Sequence, residues 1–323
     1  MPLRTAVCGT ASGFDTDSCS EVMLTRKGEA MKAEKECLEC CRNKVSGLLD
    51  QYSASEDVRA MILEQTERIL GPAGDKSAPV LMAEVISAVE TYLNVSDSYE
   101  YPKKKYNQIL LEQEERVRRE ISEEEDKFLA GIQYAVMGNY IDFGAMSDVN
   151  EEKLNELLGN RSKIRLSEDE TEHLRQELAN AKKLAYITDN AGEIVLDKVF
   201  IEVIKDLYPK LEIGVIVRGT PVLNDATYMD AEAIGLTDTV KVVSNGTDVP
   251  GTPLDEVSEA ALSWIEDADL CIAKGQGNFE TLRGCGKNIY YLFLCKCELF
   301  VRKFRVERFT PVLSNETRIV QYA

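Results

Sequence analysis

Leu184-Ala-Tyr-Ile-Thr-Asp-Asn-Ala-Gly-Glu193 sets a short apolar run against a polar, glycine-containing exit, and a helical pattern over Glu193 to Leu207 follows at once. The same grammar repeats downstream. Leu211 to Val217 leads to Arg218-Gly219, with a helix near Ala226 to Ala233. Val240-Lys-Val-Val243 leads to Ser244-Asn245-Gly246 and a helix over Leu254 to Asp267. Leu270-Cys-Ile-Ala273 leads to Lys274-Gly275-Gln276-Gly277-Asn278, and Ile289 to Leu294 forms a fifth strand. Short apolar strands alternating with helices predict an α/β fold, a doubly wound, mostly parallel, Rossmann-like sheet with right-handed crossovers.

Upstream the texture is different. From Lys32 to about Tyr140 the pattern is nearly all helical. Ser55 caps a helix carrying Val58, Met61, Ile62, Ile69 and Leu70 before Gly71-Pro72 ends it. Ser122-Glu-Glu-Glu125 has the form of a capping box, followed by Phe128, Leu129, Ile132, Val136 and Tyr140 at helical spacing. Ser167-Glu-Asp-Glu170 opens a further helix through about Lys183. The expected organisation is an all-helical domain over 31–183 and an α/β metal- and phosphate-binding domain over 184–323. Residues 1–30 are Gly/Ser/Thr-rich and read as a disordered leader. Met31 stands just before the first helix, and the expectation is that the natural start lies there.

Composition bounds the chemistry. The chain has 323 residues, 38 basic and 56 acidic side chains and a net charge of −18, with 44% hydrophobic residues. That is enough apolar material for a core, and too acidic for a general nucleic-acid or anionic-membrane surface. No apolar stretch approaches the ~18 residues of a membrane span. The nine cysteines, an odd number in a chain of ordinary composition, predict reduced thiols and a cytoplasmic protein. Cys37, Cys40 and Cys41 share a helix, where packing is the expected role ahead of metal or redox chemistry. One histidine, His173, rules out a multi-histidine zinc centre, and its acidic neighbours mark it as a surface residue. Carboxylates and a hard cation are left to do the chemistry.

In a doubly wound sheet, ligands bind outside the carboxyl ends of the strands. All four of the strand exits quoted first carry residues of the kind a site uses. Asp189, Asn190 and Asp225 supply hard oxygen donors suited to Mg²⁺ or Mn²⁺, or else they cap the helices that follow. Lys274, Gly275, Gly277 and Asn278 join a cation to a backbone able to approach an anion, and a tight turn is the alternative. Arg218 adds a second cation, with surface solvation as its alternative. Ser244 and Asn245 complete the rim or form a simple turn.

These segments resemble a known family. Asp189-Asn-Ala-Gly-Glu193, Arg218-Gly-Thr-Pro-Val-Leu-Asn-Asp225, Ser244-Asn-Gly-Thr-Asp248 and Lys274-Gly-Gln-Gly-Asn-Phe-Glu-Thr-Leu282 are similar to the metal-dependent damage-control phosphatases. That family was long a domain of unknown function and is fused in animals to a pantothenate-kinase-like module. The match extends to Gly138-Asn-Tyr-Ile-Asp142, and Cys37/Cys40 resemble the signature of its prokaryotic branch, so coverage runs from about Met31 onward. The resemblance implies a helical part on an α/β core. It also implies hydrolysis of phosphosugar or phosphopantetheine-like esters with a divalent cation (Mn²⁺, Mg²⁺, Co²⁺ or Ni²⁺). By motif match the metal ligands fall on Asp189, Asn190 and Asp225, and Glu193 on the substrate side. Lys274 falls on a phosphate-facing position, and Asn139 and Asp142 join the substrate-binding set. The leader before Met31 departs from the family pattern.

The expected reaction is therefore phosphomonoester hydrolysis of a small metabolite. The cation would neutralise charge in the transition state, with Lys274, Arg218 and the backbone of Gly275 to Asn278 on the remaining oxygens. Ala191 stands where aspartyl-phosphate enzymes carry a second acid, so water is the expected nucleophile, with Glu193 or Asp225 as base. A nucleotide- or S-adenosylmethionine-dependent transferase using Gly275 and Gly277 is the rival enzyme. It is disfavoured because the strand from Leu211 ends in Arg218 rather than in a ribose-binding acid. A non-catalytic metal- or metabolite-binding protein is the third reading.

Overall fold

The structure, a computed structural model, describes residues 30–140, 156 and 158–319. Five helices come first: α1 (Lys35–Gln51), α2 (Glu56–Leu70), α3 (Ala78–Leu93), α4 (Glu100–Glu123) and α5 (Lys127–Gly138). After α6 (Glu168–Asn180) the chain alternates: β1 (Lys183–Ile187), α7 (Glu193–Leu207), β2 (Glu212–Val217), α8 (Tyr228–Ala233), β3 (Lys241–Ser244), α9 (Glu259–Asp267). It closes with β4 (Leu270–Lys274), α10 (Gly275–Leu282), β5 (Ile289–Leu294), α11 (Glu298–Phe304) and β6 (Pro311–Asn315).

Among the described residues six strands form one sheet in the order β3-β2-β1-β4-β5-β6. The first five strands pair in parallel, and β6 runs antiparallel to β5. The sequence reading stops at five strands. Pro311-Val-Leu-Ser-Asn315 is short and opens on a proline, which only an edge strand tolerates, so its pattern is weak. The strand order turns back between β1 and β4, which opens a crevice at their carboxyl ends.

Both faces of the sheet are covered. Leu184 and Tyr186 of β1 face a cluster built with α4, α5, α6 and α7, while Ala185 and Ile187 face one built with α9, α10 and α11. Near-continuous burial along β1, β4 and β5 follows from this double coverage. The first three helices pack mainly on one another, through Val45, Leu49, Ile62, Leu81 and Val85, with Leu223 of the β2 exit against them. α4 and α5 instead belong to the sheet's own layer.

One capping assignment needs correction. Ser122 does not open a helix: it lies in the last turn of α4, and its hydroxyl donates to the Arg119 carbonyl at 2.7 Å. Asp126 is the cap of α5, accepting from the Leu129 N–H at 2.9 Å. Buried Ile121 keeps the end of α4 folded past the serine, so the cap moves to the next acid.

The sole tryptophan reports on this packing. Trp264 of α9 lies on Gly214 of β2, its indole N–H donates to the Leu184 carbonyl at 3.2 Å, and the Lys183 and Lys241 ammoniums stand 4.2 and 4.6 Å from its ring. A Cβ on Gly214 would overlap the indole itself. Gly214→Ala is expected to destabilise by about 1–3 kcal/mol through overpacking. The denaturant midpoint followed by Trp264 fluorescence measures this, and an unchanged midpoint would show that α9 can shift freely.

Candidate active site

The exits of β1 and β2 are laced together. The Ala191 N–H donates to the Asn224 carbonyl, and the Ala226 N–H to the Asp189 carbonyl, both at 2.8 Å, with Asn190 and Asp225 paired as a bridge. Three sequence-distant candidates, Asp189, Asn190 and Asp225, are thereby set side by side at the switch point. β4 arrives from the other side. Gly275, at the start of α10, has φ +76°, and a Cβ there would collide with the Asp189 carboxylate. Only glycine satisfies both the backbone angle and the approach.

Two carboxamides bridge two carboxylates at the centre. The Asn139 amide nitrogen donates to Asp189 Oδ2 and Glu193 Oε2, each at 2.9 Å. The Asn190 amide nitrogen donates to the same two oxygens, at 2.7 and 2.9 Å. Asn139 follows α5, and its Oδ1 accepts from the Leu294 N–H of β5 at 3.2 Å. Asn190 Oδ1 in turn accepts from Asn224 Nδ2 at 2.6 Å.

The two expected phosphate-binding cations are turned inward. Lys274 is fully enclosed, and its ammonium donates to Glu193 Oε1 and Asp197 Oδ1 at 2.6 Å and to the Ala135 carbonyl at 2.9 Å. An ammonium has three protons, and all three are used, so Lys274 holds Glu193 rather than facing a ligand. Arg218, also fully enclosed, donates from Nε to Asp225 Oδ2 at 2.7 Å and from its other nitrogens to Thr252, Thr188 and Asn278. It is neither a surface cation nor open to an anion. The sequence reading missed this because both side chains look solvated when judged by type.

The rest of the expected rim is also occupied by structure. Asn278 donates to the Thr188 and Lys274 carbonyls at 2.9 and 2.7 Å. Gly277 lies against the Pro250 carbonyl, where a Cβ would not fit. Asn245 is enclosed and shapes its own turn, donating to the Gly251 carbonyl and accepting from the Thr247 N–H. The Ser244 hydroxyl accepts from the Gly246 N–H at 3.3 Å. Asp142 lies outside the described residues. His173 is exposed on α6. Cys41 is buried among the first three helices, Cys37 packs against the α10–α11 side, and Cys40 is exposed.

Two functional neighbours escaped the sequence reading. Asp197 lies one helical turn after Glu193, on the same face, and shares Lys274 with it. Its Oδ1 also accepts from the Tyr186 hydroxyl at 2.7 Å, while Oδ2 has no partner among the described residues. The i, i+4 spacing was the available signal. Lys296 lies just past β5, an exit the sequence reading left unexamined.

Charge crowding dominates the electrostatics. Burial and then the charges of Glu193 and Asp225 hold the Asp189 carboxyl well above its usual range. Asp225 is also raised by burial, with Arg218 pulling against it. Burial would raise Glu193 too, but the Lys274 and Lys296 charges outweigh it and leave the group below its usual value. Asp197 is pushed up to about 6, by burial first. Among the described residues no three His, Cys, Asp or Glu side chains form a ligand cluster, so any cation here has a mixed carboxylate and carboxamide set. That set fits a hard divalent ion. Four carboxylates, Asp189, Glu193, Asp197 and Asp225, share two enclosed cations, Lys274 and Arg218, with the Lys296 charge also acting on Asp189 and Glu193, so the carboxylates outnumber the cations. Oδ1 of Asp189 and of Asp225 accepts no hydrogen bond among the described residues.

A pH dependence follows from the raised groups. In the metal-free protein Asp189 and Asp225 hold protons that the unfolded chain, near 3.8, has already lost. Native protein then binds more protons than unfolded protein, so stability falls as pH rises above that value. Glu193 works in the opposite sense only in acid, below its unfolded 4.5. The thermal midpoint in EDTA is expected to drop between about pH 5 and pH 8, and Mn²⁺ is expected to raise it most at the alkaline end. A flat profile that ignores the cation would contradict the crowding.

Known proteins share this framework. The family model for the damage-control phosphatase ARMT1-like domain matches residues 33–311. An uncharacterized protein of Methanocaldococcus jannaschii is 35% identical over 86% of this chain and 93% of its own length. A damage-control phosphatase of Pyrococcus horikoshii is 30% identical over 86% and 96%, and one of Archaeoglobus fulgidus 28% identical over 85% and 96%. The crystal structure of a DUF89 family protein of Pyrococcus horikoshii superimposes with a TM-score of 0.80 at 28% identity, over 88% of this chain and 99% of that one. With a family model over residues 33–311 and relatives 28–35% identical across most of the chain, this chain belongs to the damage-control phosphatase family.

Proposed function

We propose that the protein is a metal-dependent phosphatase of small phosphorylated metabolites, phosphosugar or phosphopantetheine-like monoesters, using water as nucleophile. The observation that carries this reading is the charge deficit at the switch point, where Asp189, Asn190 and Asp225 stand together and one oxygen of each aspartate accepts no hydrogen bond among the described residues. Those three residues would hold the ion. When bound, a divalent cation polarises a phosphoryl oxygen and offsets the charge that grows in the transition state.

The chain's own groups divide the remaining work. Glu193 has Oε1 on Lys274 and Oε2 on the two carboxamides, so it acts as a fixed charge orienting Asn139 and Asn190. Asp225 Oδ1 is then the candidate acceptor for the proton of the attacking water. Arg218 holds that carboxylate in place from its other oxygen. Glu193, Asp197, Asp225, Lys274 and Arg218 are buried, which strengthens the charge interactions among them.

Phosphate release from a panel of phosphometabolites, with Mg²⁺, Mn²⁺, Co²⁺ or Ni²⁺ and with EDTA, tests the reading. Activity is expected only with a cation, and Asp189→Ala is expected to lower kcat by about 10²–10³-fold. Turnover that persists in EDTA, or in folded Asp189→Ala, would remove it. Separately, Arg218→Ala strands a buried Asp225 and is expected to cost about 3–5 kcal/mol of stability, read as a denaturant midpoint. A shift under about 1 kcal/mol would show that the pair is dispensable.

A further inference from the structure

The loop that brings Asp225 to the switch point carries a residue its backbone does not favour. Between Val222 and Asp225 the chain makes a tight turn, closed by the Asp225 N–H donating to the Val222 carbonyl at 3.1 Å. Leu223, the first central residue, has φ +47°, and Asn224 after it does not share the positive angle. Turns with a positive φ at that position ordinarily carry Gly, Asn or Asp, because a Cβ crowds the following carbonyl. We propose that Leu223 is a positioning residue, the anchor through which the three-helix body fixes the loop that ends in Asn224 and Asp225. This inference rests on the metal-dependent reading above and adds to it a residue that orients the ligands without being one.

The side chain explains the backbone. Leu223 packs against the apolar cluster of α1, α2 and α3, and among the described residues it is the one member of that cluster drawn from the α/β part of the chain. The residues that follow it are committed to the site at once. The Asn224 carbonyl accepts from the Ala191 N–H at 2.8 Å, and Asn224 Nδ2 donates to Asn190 Oδ1 at 2.6 Å. Asp225 then pairs with Asn190 as a bridge. One residue therefore joins the helical body to the two exits that would hold the ion.

The stretch before it has room to move. The Gly219 and Thr220 N–H groups both donate to the Thr247 carbonyl, at 2.9 and 3.2 Å, which ties down the start of the loop. Thr220, Pro221 and Val222 then border a cavity of about 570 Å³ whose other wall is α3, through Ile86, Ser87 and Glu90. The loop is not packed shut against the helices along that stretch, so its grip on them comes at Leu223. Burial of the leucine offsets the unfavourable backbone angle and keeps Asn224 and Asp225 turned toward Asn190.

The test compares Leu223→Gly, Leu223→Asn and Leu223→Met in the full chain. Glycine and asparagine suit the positive φ better than leucine but remove the anchor, whereas methionine keeps its apolar reach. If the backbone angle alone oriented the ligands, the first two variants would bind the ion as well as wild type does. Mn²⁺ alone is the probe, titrated by calorimetry, and hydrogen exchange of the Ala191 amide in metal-free protein is the second readout. The expected result in the Gly and Asn variants is an Mn²⁺ affinity about 10-fold lower and Ala191 exchange at least about 10-fold faster. Leu223→Met is expected to stay near wild type in both, a rescue that fits an apolar anchor. Trp264 fluorescence establishes folding, and the Asn variant carries the test should the Gly variant not fold. A folded Gly or Asn variant with Mn²⁺ affinity within about twofold of wild type would overturn the assignment. If wild type binds no Mn²⁺, the metal reading fails, and Ala191 exchange then decides the anchor: faster in the Gly variant and restored in the Met variant, it stands, and unchanged, it falls. If wild type binds Mn²⁺ but Leu223→Met is as damaging as Leu223→Gly, the anchor fails and the metal reading stands.

Discussion

The fold turns on a buried ammonium. Lys274 leaves the end of β4 with no exposure and gives its three protons to Glu193, Asp197 and the Ala135 carbonyl. Taking such a charge out of water is costly unless every proton is matched. The match is made by parts of the chain that share no local sequence: β4, the first turns of α7, and α5. Burial alone would drive the proton off, but the two carboxylates hold the ammonium's pKa above its ordinary value. Because the three elements must meet at one nitrogen atom, the distances between β4, α7 and α5 at the sheet's carboxyl edge leave little latitude. The placement of Glu193, and through it of Asn139 and Asn190, follows from that junction.

A second layer of order comes from charge that is not matched. Arg218 pairs with Asp225 and Lys274 with Glu193 and Asp197, while Asp189, without a cation of its own among these pairs, is raised by burial and then by the charges of Glu193 and Asp225. The protein invests this strain in one place, at the crevice between β1 and β4, rather than spreading it over the surface where most of its acidic residues are solvated. The two carboxamides partly relieve it by placing N–H groups between Asp189 and Glu193. An acidic chain can in this way present a site for an anion, because the local field is set by a few enclosed groups and by any ion they hold.

Much of this was legible in the sequence, and the illegible part has a common cause. Glu193 to Leu207 and Ile289 to Leu294 were read with the limits the structure shows, since long apolar periodicity and a fully apolar run are strong local signals. The strand exits were read correctly as neighbours because a parallel sheet leaves them no other place. β6 and the cap of α5 were missed, the first for its proline and short length, the second because a serine pattern fell inside a helix whose end is fixed by tertiary burial. The inward turn of Lys274 and Arg218 could not be read at all. Side-chain type says that a lysine at a strand exit carries charge, but not whether that charge faces solvent, ligand or carboxylate. That depends on Ala135 and Asp197, contacts 139 and 77 residues away.

The strand order carries a kinetic consequence. β1 lies between β2 and β4, yet β4 is made only after β2, β3 and their helices have been laid down. The Lys274–Glu193 bond spans 81 residues, and the bond to Ala135 spans 139. Closing such loops costs entropy before any contact rewards it, and non-local parallel pairing is slow for that reason. The β1–β2–β3 portion can assemble from nearer contacts, with the carboxylates of its exits still open to water. The ammonium arrives with β4 and seals them. The Lys274 junction is thus a late product of folding, formed at the step that joins the two halves of the sheet, and a chain arrested before that step would carry the β1–β2 pairing of Asp189, Asn190 and Asp225 without the ammonium that fixes Glu193.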